Sequence, residues 1–145
     1  MDNSLVGFLY PLHPKLVHFP IALIISAMGM QMLGVLFKKD SWCKGAWLMF
    51  ILAVLSMPLV IFLGLLEVDR LHLHHPVLNA HKLFAFWSAG LSWIALPFLW
   101  FMRYKGIRNF QIIFLILLTT VSVLLGLTAH QGGKMVYEYG VGVSQ

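Results

Sequence analysis

The chain has 145 residues and a net charge of +5, with 60% hydrophobic and only 10% charged residues, and its mean hydropathy is +0.86. A soluble domain carries roughly 25% charged residues, so this composition excludes a soluble globular enzyme, a nucleic-acid binder and a disordered chain. Four apolar runs, each near the ~20 residues a helix needs to cross hydrocarbon, leave room for short loops and no large extramembrane domain.

The residues before the first run (MDNSLVGFLYPLHPK) contain no basic n-region and no small-residue cleavage pattern, so the first span is expected to be retained and not removed as a signal peptide. Spans are predicted over residues 17–37, 46–66, 76–101 and 110–129, in a single membrane domain. Pro20 falls in the first turn of span one and Pro76 opens span three, positions where a missing N–H costs nothing. Pro58 and Pro97 fall inside spans two and three and are expected to kink them. Gly132 and Gly133 are expected to stop span four after His130. No internal repeat is visible, although the chain divides into two helical hairpins.

Charge sets the orientation. The segment KKDSWCK after span one and RYKGIR after span three hold Lys38, Lys39, Lys44, Arg103, Lys105 and Arg108 against one acid, Asp40. On the opposite side Lys15, Arg70, Lys82 and Lys134 are balanced by Asp2, Glu67, Asp69 and Glu138. By the positive-inside rule the basic side is cytoplasmic and both termini face out, to the periplasm. The expected fold class is therefore an all-α integral membrane protein, a four-transmembrane-helix bundle in the bacterial inner membrane. The single cysteine, Cys43, excludes an intramolecular disulfide and a thiolate metal cluster, and shows no partner in the sequence.

All seven histidines, His13, His18, His72, His74, His75, His81 and His130, fall at the outer ends of the spans or in the outer loop. Ionisable groups at membrane depth are costly and point to function. His18 opens span one, His81 lies a turn or more into span three, and His130 closes span four. Each heads a helical stripe containing small residues: Ala22 and Gly29 under His18, Ala85, Ser88 and Ser92 under His81, Gly126 and Thr119 above His130. A flat cofactor among helices needs such room, and imidazole is the usual axial ligand of protein haem. Small residues at this spacing equally serve close helix packing with no ligand.

Three readings follow. The first is a b-type cytochrome subunit with one haem near the outer face, two of His18, His81 and His130 as ligands and His13 in reserve. It would exchange electrons with a quinol or a partner redox protein. The second is a cofactor-free structural or assembly subunit of a larger membrane or periplasmic complex, or a homo-oligomer. The third is an outer-face copper or zinc site, for which His72 and His74 could chelate in an extended loop, with Glu67 and Asp69 as ligands or as acceptors for a histidine N–H. An electron-transfer or structural subunit is expected ahead of an independent enzyme. The sequence shows no nucleophile elbow, phosphate loop or paired acids, and only Gln31 and scattered Ser and Thr at depth, which argues against a transporter.

Two segments, LHPKLVHFPIAL (12–23) and HQGGKMVYEYGVGV (130–143), resemble the opening and closing motifs of a widespread bacterial family of four-helix predicted membrane proteins of unknown function. GLLE (64–67) and HPVLNAHKL (75–83) are similar to that family's end of helix two and entry to helix three. The resemblance covers essentially the whole chain and brings no settled activity. The family's motif histidines match His13, His18 and His130, and more loosely His81, which suggests a membrane-embedded b-haem. The chain departs from the pattern at Tyr139, where a second tail histidine is expected, and at Glu67, where aspartate is usual. The tail after His130 is expected to fold back over the outer helix ends.

Overall fold

The computed structural model describes residues 12–71 and 75–141. Among the described residues the structure is helical, with no strands. A short helix α1 (Leu12–Leu16) leads into α2 (His18–Leu36), followed by α3 (Asp40–Leu71), α4 (Pro76–Tyr104) and α5 (Phe110–Tyr137). Four stretches, Leu12–Leu36, Asp40–Asp69, Pro76–Tyr104 and Phe110–Tyr137, are long and apolar enough to cross a membrane. They expose many large apolar side chains on their outer faces, such as Ile94 at 78% and Ile116 at 62%. Water would not tolerate a surface of that extent. Hydrocarbon does, because every backbone group within a helix is satisfied by its own segment.

Local chemistry sets the helix bounds and corrects three expectations. The helix is interrupted at Val17 because the Pro20 ring opposes the carbonyl four residues earlier, that of Leu16, so α1 is separated from α2. The segment KKDSWCK is mostly not a loop. Helix α3 already starts at Asp40, whose carboxylate meets Lys44 Nζ one turn on at 2.7 Å, and the buried Cys43 packs its Sγ on Gly34, where a Cβ would lie within 2.6 Å. Nor do Gly132 and Gly133 stop the last helix, which runs on to Tyr137. The stop is Gly140, at φ 64°. Beside it the amides of Gly140 and Val141 donate to the carbonyls of Val136 and Met135, a left-handed glycine termination. Helix α4 is opened by Pro76 and capped by His75, whose Nδ1 accepts the Val77 amide at 3.2 Å.

The helices form a ring: α2 packs along α3, α4 along α5, α2 on α5, and α3 more thinly on α4. The core runs from the Trp47, Phe50, Phe110 and Phe114 cluster, where the Trp47 and Phe50 rings each lie 5.3 Å from Phe114, to Leu63, Leu78 and Thr128 at the histidine end.

A repeat absent from the sequence reading is plain in the structure: shifting the first hairpin by 68 residues places it on the second. Helices α2 and α4 then end together at Leu36 and Tyr104. The main bonds of the two turns correspond. The Phe37 amide donates to Leu33 at 2.9 Å and that of Lys105 to Phe101 at 3.0 Å; Lys39 donates to Gly34 at 2.9 Å and Ile107 to Met102 at 3.0 Å; Trp42 donates to Lys39 at 3.1 Å and Phe110 to Ile107 at 3.0 Å. The positive-φ residues also correspond, Lys38 at 54° and Gly106 at 63°. Burial follows the same shift: Ile24 with Ser92, Gln31 with Leu99, Ala46 with Phe114, Ala53 with Val121 and Val60 with Thr128 are all buried. Side-chain identity is mostly lost, since what the fold needs at these places is only exclusion from lipid.

Candidate functional site

The histidines separate into three groups. His13 and His81 are half-buried and occupy equivalent positions of the two hairpins. His13 Nδ1 lies 3.0 Å from the carbonyl oxygen of Val60 on α3. His81 Nδ1 lies 2.9 Å from the carbonyl oxygen of Thr128 on α5. Both bonds join residues 47 apart in the chain. A carbonyl only accepts, so each Nδ1 must carry the proton, and in the neutral ring the lone pair is left on Nε2.

A glycine lies against each ring. A Cβ on Gly64 would come within 2.7 Å of His13 Cε1, and one on Gly132 within 3.4 Å of His81 Cε1. At Gly64 a side chain would push the imidazole away, whereas at Gly132 a Cβ would meet His81 in ordinary van der Waals contact. The Thr128 hydroxyl is turned back to Leu124 O at 2.8 Å, leaving its carbonyl to His81.

His18 and His130 form the second group. Both are exposed on the outer sides of α2 and α5, so of the three span-end candidates only His81 is held inside the bundle. His75 is third: its Nδ1 caps α4, and its ring lies 4.2 Å from that of Tyr139. The tail therefore returns to the start of α4 at the residue where a second histidine was expected. His72 and His74 lie outside the described residues. Among the described residues no three His, Cys, Asp or Glu side chains converge as a metal site. Glu67 is half-buried and Asp69 exposed, near the same end of α3.

Sequence reasoning undervalued His13, which precedes the expected start of span one. The signal that could have raised it is an equal interval from His13 to Gly64 and from His81 to Gly132. At the other end of the bundle, buried Gln31 donates from Nε2 to the Gln111 carbonyl at 3.0 Å and to its Oε1 at 2.6 Å, fastening α2 to α5.

The search of curated proteins gives no match, and neither does that of solved structures. Residues 9–145 match the family described as "Predicted membrane protein (DUF2231)". With that match over nearly its whole length and four helices able to span a bilayer, the chain belongs to this family of multi-pass membrane proteins.

Proposed function

We propose that the protein is a small b-type cytochrome subunit, with one haem held between His13 and His81. The observation that carries this reading is the pair of equivalent imidazoles at one end of the bundle. Each is oriented through Nδ1 by a main-chain carbonyl and keeps Nε2 for a metal. Ligand histidines are ordinarily fixed in this way, the outer hydrogen bond setting both tautomer and ring plane. Two imidazoles from facing helices suit a low-spin iron, whose chemistry would be one-electron transfer. The basic turns at the opposite end support, under the positive-inside rule, a histidine end on the periplasmic side of a bacterial inner membrane. Electrons would then pass along that face between a quinol or redox partner and the iron.

A second reading rests on the same hydrogen bonds. They pin α1 to α3 and α4 to α5 with no ligand, as a cofactor-free assembly subunit would need. One experiment separates the two: a dithionite-reduced minus oxidised spectrum, with iron quantified, on the full chain purified in mild detergent. The haem reading expects b-type bands and one iron per chain, lost in either His13→Ala or His81→Ala and retained in His18→Ala and His130→Ala. Folded protein without colour or iron would overturn it and leave the assembly role.

A further inference from the structure

The basic end holds a notch of about 390 Å³ between the start of α3 and the α4–α5 turn, lined by Arg103, Arg108, Asp40, Gly106, Met102 and Phe110 among others. The Arg103 guanidinium lies 5.5 Å from the Trp47 ring centroid and 5.9 Å from that of Phe110. Aromatic faces hold the planar cation this way while leaving its N–H edge free to donate. Arg108 is exposed at the rim. Asp40 is paired with Lys44, and among the described residues neither guanidinium is within ion-pair distance of a carboxylate.

The first hairpin supplies an internal control. Its turn has the same backbone, but Val35 stands at the place of Arg103 and Asp40 at that of Arg108. Gly34 replaces Met102, and Cys43 Sγ packs against it. Only the second turn therefore has two guanidiniums facing a notch.

We propose that this notch binds the phosphate of an anionic phospholipid headgroup, with Arg103 and Arg108 as its donors. Paired guanidiniums match phosphate oxygens with charge-assisted hydrogen bonds, and basic pockets between membrane helices suit anionic headgroups. The choice of a lipid over free phosphate comes from the surroundings. The notch lies at the end of two spans, and the exposed apolar Ile107 is part of its lining, where acyl chains would run.

The test is thermal unfolding of the full chain in mild detergent, titrated with phosphatidylglycerol, phosphatidylcholine or inorganic phosphate. Phosphatidylglycerol is expected to raise the midpoint saturably, and the other two are not. Arg103→Val with Arg108→Asp, which copies the first turn into the second, is expected to weaken the phosphatidylglycerol effect at least tenfold. Arg108→Asp alone, at an exposed position, is expected to weaken it measurably without threatening the fold. Lys38→Asp with Lys39→Ile lowers the net charge of the first turn by the same amount and is expected to leave the effect intact. An unchanged response in both arginine variants would overturn the proposal. So would equal loss in the lysine variant, which would reduce the effect to net charge, or an equal response to inorganic phosphate, which would remove the lipid.

Discussion

The first hairpin carries His13 on a five-residue helix of its own, whereas the second carries His81 in the second turn of a continuous 29-residue helix. The turns, the ends of α2 and α4 and many buried positions otherwise correspond. The difference traces to one residue: Pro20 breaks the first copy at Val17, and its equivalent, the buried Ser88, donates to the Ala85 carbonyl at 2.9 Å within an unbroken helix. One backbone plan thus tolerates a jointed and a rigid mounting for the same imidazole. What both copies keep is the carbonyl and the close glycine, which identifies the ring's orientation, more than the helix that bears it, as the constrained quantity.

Five substitutions sharpen the comparison. Gly64→Ala should have the largest effect, because the new Cβ would fall within 2.7 Å of His13. Overpacking of this kind costs about 1–3 kcal/mol. Gly132→Ala meets His81 only at 3.4 Å, an ordinary contact, and should be neutral or stabilising, since alanine favours a helix interior by about 1 kcal/mol. Unfolding of both variants in mixed micelles measures the gap, and equal losses would show that the two locks are equally tight. The turns come next and should respond with opposite signs. Lys38→Gly relieves a left-handed conformation worth roughly 1 kcal/mol to a non-glycine residue, so it should stabilise, while Gly106→Ala should destabilise by a similar amount. The smallest change is expected from Gln31→Leu, which copies the buried Leu99 of the other half. The Gln31 Oε1 has no hydrogen-bond partner among the described residues, and side-chain bonds within membranes average about 0.6 kcal/mol. The midpoint should therefore move by less than the equivalent of roughly 1 kcal/mol, and a larger loss would give Gln31 a role its equivalent lacks.

The spans were legible because hydropathy alone decides which segments can cross a bilayer. Their ends were less so. Gly132 and Gly133 read as a stop, yet the helix runs on through both, and the true stop is Gly140. The repeat was hidden because pairs such as Pro20 with Ser88 and Ala46 with Phe114 share burial but not chemistry, and a lipid-embedded core asks for little else. His18 and His130 stood out because they occupy helix ends, but rotation about the helix axis leaves both exposed. His13 could not be ranked from sequence, since its bond to Val60 exists only once α1 lies against α3.

The break at Val17 gives the two histidines different lifetimes. Five residues cannot hold a helix unaided, because nucleation costs more than so few bonds return. The helix α1 therefore leans on its contact with α3 and on the Val17 amide, which donates to the His13 carbonyl at 3.0 Å, so the His13 side-chain bond is expected to open more often than that of His81. His81 has no such joint and can leave its carbonyl only if α4 and α5 part.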